Sequence, residues 1–340
     1  MAKSKAQPAR AEVTRRRHTA KADAERWSRI FLIGGVVAAI LIAAGVIAFG
    51  WYQTQIKPLG KTILQVGNSK YSLGYLERRM RLLREQDPTY GDQATSDALL
   101  ALPDVALSLI EREAKLLEGA GDLNITVPDE AVAAEISSRG NLAADVEPSV
   151  YAAEFRTQVQ DSGLKETEYA QMIRAYLLGQ KVGDYFRFFA PESELQVRGQ
   201  YILFDDPTKA SQALERLQAG AAFDQVAGDL GITSTSGGAT ALNEQDWTPR
   251  TDTAANPSKI QAYFFSAQPG QISDVIAIGG YYVIAQPLER DDNRALDDNG
   301  KQNVALREMN KWLDGLDTKL AIKKDLSPGD SDRALTDVLS

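Results

Sequence analysis

Residues Ile30 to Tyr52, IFLIGGVVAAILIAAGVIAFGWY, run for 23 positions without a charge between Arg29 and Lys57. No other stretch narrows the possible architectures as far. At about 1.5 Å of rise per residue a helix of this length is roughly 34 Å long, enough to cross a hydrocarbon core of about 30 Å. Trp27 on one side and Trp51 with Tyr52 on the other stand where an interfacial aromatic belt would lie. The expectation is a single N-terminal transmembrane helix over 30–52, in contact with membrane lipid. Residues 1–29, a basic and mostly disordered tail, carry nine Lys/Arg against three acids, a net +6; the whole chain is −8, so everything after the span sums to −14. The positive-inside rule then places the tail in the cytoplasm and the bulk of the chain outside, on the periplasmic or cell-wall side. A cleaved signal peptide fits less well, because its apolar region is shorter and is followed by small residues rather than Trp51 and Tyr52. Gly35, Ala39 and Ala43 recur every fourth residue, a close-packing face on which a membrane-complex partner would fit.

Two counts then remove whole classes of chemistry. There is no cysteine, and the one histidine, His18, lies in the basic tail. Everything after the span therefore lacks disulfides, thiol nucleophiles, imidazole bases and histidine- or thiolate-held zinc. No metal or cofactor is expected, and no G-x-x-x-x-G-K-[ST] run offers an ATP site. The acidic balance argues against nucleic acid as a partner.

Along the chain, 62–71 reads as two short strands about a Gly67-Asn68 turn, followed by a helix from Ser72. Residues 87–97 are a polar loop, and 98–118 is an amphipathic helix with Pro103 a point of kinking or restart. Further helices follow at about 130–138, 149–160 and 166–189, making 60–190 a helical domain. After Pro191 the pattern changes to a strand at 195–204, short helices at 209–218 and 221–230, and a Ser/Thr/Gly/Asn loop over 233–256. A helix at 258–266 and a hairpin of 271–278 with 281–287 close this part. Residues 302–320 are amphipathic, 320–324 suits a strand, and 326–340 reads as a flexible tail. The fold class is α+β.

Several segments in this order resemble parvulin-type peptidyl-prolyl isomerases carried on a SurA/PrsA/PpiD-like chaperone domain. Gln200 to Phe204 (QYILF) is similar to the family's first strand, RHILV, and Ala213 to Asp224 to its first helix and G-x-x-F turn. Phe265 to Ser273 (FSAQPGQIS) resembles F-x-L-x-P-G-E-I-S, and Gly280 to Ile284 (GYYVI) the closing GYHII strand. Leu109–Leu117 and Ile125–Ile136 resemble the chaperone helices, and Trp312–Leu316 the C-terminal helix that returns to them. The resemblance implies a helical chaperone-like domain over 60–190 completed by 300–325, and a parvulin-like module of the FKBP-like superfold over 195–290.

Carried over by position, the family's two active-site histidines fall on Tyr201 and Tyr282. Its Asp/Cys falls near Ile232–Thr233, where neither residue type is present, and its proline-pocket Met and first Phe fall on Asn256 and Ile260; the second Phe is retained as Phe265. Two tyrosines can share a hydrogen bond, so a Tyr201–Tyr282 floor for the pocket is one reading, and plain core tyrosines the other. The resemblance thus implies a foldase that binds unfolded or newly exported polypeptides, with isomerase activity weak or lost. An accessory subunit of a membrane complex and an active isomerase with a tyrosine floor are the alternatives.

Overall fold

A computed structural model of the chain describes residues 41–50, 52, 57–143, 146–230, 241–253 and 257–339. The membrane-crossing helix expected over 30–52 is not borne out. Among the described residues, no helix is long and apolar enough to cross a membrane. Residues 41–50 form a helical stretch there. Residues 1–40, including the tail and the start of the expected span, lie outside the described residues.

The chain divides into two compact units, residues 1–62 with 72–74 and residues 63–71 with 75–340. In the first, a 3-10 turn at Lys57–Gly60 leads to Lys61, whose carbonyl accepts from the Leu73 N–H at 2.9 Å. In the second, β1 (Thr62–Val66) and β2 (Ser69–Ser72) meet at Gly67, whose φ of +57° suits a residue without a Cβ. A polar chain end then completes their sheet: β7 (Ile322–Lys324) pairs antiparallel with β1, in the order β2-β1-β7.

The helical part comprises α1 (Leu73–Gln86), α2 (Ser96–Gly119), α3 (Asp129–Arg139), α4 (Pro148–Ser162) and α5 (Glu166–Phe188). Thr95 caps α2 by accepting from the Ala98 N–H, and the helix passes through Pro103 without restarting. Leu102, Ala106, Ile110 and Ala114 recur every fourth residue on α2 and are buried. They share the interior with Leu76 and Met80 of α1 and Ile173 and Val182 of α5. Far along the sequence, α9 (Asp298–Lys319) packs on both α5 and α2 and buries Val304, Met309, Leu313 and Leu316. Gly119 permits the close approach, since a Cβ there would lie 2.5 Å from Leu316 Cδ1.

Between α5 and α9 lies a four-stranded antiparallel sheet of order β4-β3-β6-β5, built from β3 (Ser193–Phe204), β4 (Ala241–Pro249), β5 (Ile276–Ile278) and β6 (Tyr281–Ala295). Helices α6 (Pro207–Gln218), α7 (Phe223–Asp229) and α8 (Lys259–Ser266) cover it. Two expectations change here. Part of the expected loop 233–256 is strand β4, whose ALNEQDWTP sequence lacks clean alternation and is held by its ladder with β3. Strand β6 also continues past Pro287 to Ala295, because Ser193–Arg198 supplies a partner for a run rich in charge.

The expected flexible tail is instead helix α10 (Pro328–Leu339). Ser327 and Asp330 exchange capping hydrogen bonds across its first turn, and Pro328 occupies the position where a missing N–H costs nothing. Ala334 and Val338 are buried, and at the far end Arg81 and Arg84 each donate to a carbonyl of the last turn, Asp337 O and Val338 O, both at 2.9 Å. Beneath this contact Glu77 is 4% exposed, with Oε1 making no hydrogen bond. Burial, followed by the charge of Asp337, raises its pKa, against Arg81, Arg333 and Arg78. A carboxyl whose folded pKa exceeds its unfolded value costs stability once the pH has risen through both, and the cost vanishes below the unfolded value. Glu77→Met is therefore expected to stabilise the protein at pH 7 by on the order of 1 kcal/mol. Urea titrations at pH 7 and pH 4 check this: the gain should shrink in acid, and an equal gain at both would show that Glu77 is not held as an ion against its surroundings.

Candidate functional site

The four-stranded sheet has two covered faces, and the strand register assigns each expected site residue to one of them. Successive side chains along a strand alternate between faces, and directly opposed residues of an antiparallel pair share a face. Tyr201 opposes Ala285, whereas Tyr282 opposes Phe204. Tyr201 thus points with Val197, Leu203, Val283 and Ala285 toward α8, and Tyr282 points with Ile202, Phe204 and Ile284 toward α6 and α7. The sheet separates the two hydroxyls. Tyr201 and Tyr282 do not form a hydrogen-bonded floor.

Of the other expected site residues, Ile260 and Phe265 join Tyr201 on the α8 face, packed around the fully buried Phe264. Asn256 and the Ile232–Thr233 position lie outside the described residues. Gly199 gives the α8 face its closeness: a Cβ there would stand 2.7 Å from Phe264 Cε1. Phe265 also borders a cavity of about 610 Å³ with Leu195, Pro257 and Ala262, and the Arg250 guanidinium stands 5.9 Å from its ring centroid. The charges around this cavity are internally matched. Arg250 donates to Asp252 at 2.6 Å and holds its carboxyl below the usual range, while Arg307 donates to Glu194 at 2.5 and 3.2 Å and to Arg250 O at 2.9 Å. Leu195, Pro257, Ala262 and Phe265 give this cavity an apolar wall that can bind a side chain.

A second depression, a trough of about 620 Å³, lies in the helical part among α2, α5 and α9. Each helix contributes one face at helical spacing: Leu109 and Leu116 with Arg112 and Glu113 from α2, Ala175, Tyr176, Gly179 and Gly183 from α5, and Leu306 and Met309 from α9. The two glycines open it. A Cβ at Gly183 would meet nothing within 4 Å, and one at Gly179 only Leu116 Cδ1 at 3.5 Å. Tyr176 and Leu306 are exposed at its rim, 46% and 43% accessible, so apolar surface that ordinarily packs inward faces solvent here. The Arg139 guanidinium stacks 4.8 Å from the Tyr176 ring centroid and Gln180 Nε2 donates to Tyr176 Oη at 2.6 Å, fixing that ring as a wall. Sequence reasoning did not single out the residues of this trough, since Leu109, Tyr176 and Met309 match core stripes. The available signal was the surplus: Gly179, Gly183 and Leu306 extend those stripes beyond what one core can bury.

Residues 21–183 match the SurA-like N-terminal domain family. Among solved structures, the chain is similar to the peptidylprolyl isomerase PrsA of Bacillus anthracis, at 16% identity and a TM-score of 0.34, over 68% of this chain and 95% of that one. It is also similar to the foldase protein PrsA of Streptococcus pneumoniae (15% identity, TM-score 0.31, 80% and 90% covered). A SurA-like chaperone structure from Campylobacter jejuni matches at 11% identity and a TM-score of 0.23, over 77% and 98%. No curated protein matches the chain.

Proposed function

We propose that this protein, whose residues 21–183 match the SurA-like N-terminal domain family, is a chaperone of the foldase kind that holds unfolded polypeptide in the trough among α2, α5 and α9. The observation that carries this reading is the trough's exposed apolar wall, Tyr176 and Leu306 above Leu109, Leu116 and Met309. The sequence has no G-x-x-x-x-G-K-[ST] run, and in this reading holding is mass action: the trough stabilises whichever state of a client exposes apolar side chains. Its clients are newly exported chains and its place of action is outside the cytoplasm.

Prolyl isomerisation is a weak or absent activity in this reading. The amide barrier of about 18–20 kcal/mol falls when the prolyl group is twisted in an apolar pocket, and Tyr201 and Tyr282, on opposite sides of the sheet, do not line one together. Phe265 and its cavity serve as a second apolar contact for the client.

The test is suppression of aggregation of a chemically unfolded client by the full chain, beside Leu306→Glu. Placing a charge where a client leucine or phenylalanine would be buried removes about 1.5–3 kcal/mol of contact, so about tenfold more of the variant should be needed. Equal potency of the two proteins would remove the trough from the function. A protease-coupled isomerisation assay on the same preparations should show the uncatalysed rate.

A further inference from the structure

Arg112 stands on α2 in the wall shared by the trough and a neighbouring polar cavity of about 610 Å³, and its side chain reaches solvent. It donates from Nη1 to Asn310 Oδ1 at 3.1 Å and from Nη2 toward Met309 Sδ at 3.9 Å, both neutral acceptors. The other cations of this wall are matched by acids: Lys115 meets Glu111 at 3.1 Å and also Asp317, and Lys324 meets Glu111 at 2.6 Å. Among the described residues no carboxylate pairs with Arg112. Burial alone perturbs it, lowering its pKa with no opposing charge to offset the cost. Of the other acids lining the two cavities, Glu113 is held by Arg79, Asp314 accepts from Thr253 Oγ1 at 3.3 Å and Asp184 is exposed on α5; none of them pairs with Arg112.

A guanidinium has five N–H donors in a planar fork that suits a carboxylate, and the two neutral contacts leave donors for a ligand. Resting on the reading that the trough binds unfolded polypeptide, we propose that Arg112 is a carboxylate receptor, making the trough prefer apolar segments that carry one Asp or Glu side chain. The argument is charge complementarity: Arg112 reaches solvent beside the apolar lining without a carboxylate partner, and accepts one anion carried by a bound segment. A side-chain carboxylate fits better than a chain end. The lining spreads along α5 from Ala175 to Asp184, with Tyr176 and Asp184 both exposed, so a bound chain lies lengthwise and presents side chains.

The probe is a terminally blocked, dye-labelled peptide of Leu, Phe and Ser with one central Glu, and its Gln counterpart, titrated against the full chain. The Glu peptide should bind about tenfold more tightly, with the ratio shrinking as salt is raised. In Arg112→Gln the ratio should fall to about one, with thermal unfolding checking that the variant is folded; Arg112→Lys should keep part of it. Equal binding of both peptides by the unaltered protein overturns the inference, as does a preference for Glu that survives in Arg112→Gln. Leu306→Glu separates the two levels. If it weakens the Gln peptide, the trough binds polypeptide and only the role of Arg112 is at stake; if it changes neither peptide, the site itself is elsewhere and both readings fall.

Discussion

Phe264→Ala is expected to lower the unfolding free energy by about 3–5 kcal/mol. The ring is fully buried, and its neighbours Val197, Val283 and Ala285 are rigid parts of a sheet. Gly199 lies beneath it without a Cβ, so nothing from below can relax into the space that the ring vacates. The loss is therefore a transfer term plus a cavity term, at the upper end for an aromatic residue. Tyr201, Ile260 and Phe265 pack against the same cluster and would lose their backing. Urea unfolding followed by tryptophan fluorescence measures the change. A loss below about 1 kcal/mol would mean that the site can collapse, and that α8 is not fastened to the sheet through this ring.

Glu113→Ala should cost a similar amount, about 3–5 kcal/mol, for an electrostatic reason. Arg79 has a side chain only 7% exposed, and its Nη1 and Nη2 each donate to a Glu113 oxygen at 2.7 Å. Burial by itself would pull the Arg79 pKa down; the charge and hydrogen bonds of Glu113 outweigh it and raise the value. Deleting Glu113 leaves the cation a long hydrogen bond to Tyr75 Oη at 3.3 Å, a poor substitute for a carboxylate. Around it the site is equally unreceptive to charge, since burial first and then Tyr75 and Glu113 push the Tyr71 hydroxyl up to about 12. The double variant Arg79→Met with Glu113→Leu should recover most of the loss, because replacing both partners removes the unpaired ion. If the single variant loses no more than the double one, the pair is solvated in practice. Glu113 also borders the trough, so binding measurements belong on the double variant.

The corrections share a physical cause. Strand β4 and the second half of β6 are poor strands by composition, with Asn243, Asp246, Asp291, Asp292 and Asn293 among their residues. They become strands because β3 extends for twelve residues and offers a ladder on both edges. The ion pair of Arg198 with Glu289 shows how charged residues are accommodated there, across the register at the sheet surface. Helix α10 was legible in part: Ser327, Pro328 and Asp330 form a start signal, but its short apolar face, Ala334 and Val338, is hard to tell from a tail without the arginines of α1 that receive its end. The apolar run 30–52 invited the strongest inference from hydropathy alone, and among the described residues no helix is long and apolar enough to carry it.

Sequence by itself determined the class and the order of parts: helices with a 3.6-residue apolar period, then an α+β module, then a long amphipathic helix. Those patterns are local, set by which side chains must leave water and by the glycines and prolines that stop each element. It also determined the absence of thiol and of imidazole beyond His18, which no folding can alter. Only the tertiary structure decided where Tyr201 and Tyr282 point. A motif places a residue on a strand, but the face depends on a register that a single-residue offset reverses. Tertiary structure likewise decided that Gly179, Gly183 and Leu306 open a trough and that Arg112 stands in its wall without an acid, because three helices distant in sequence meet there.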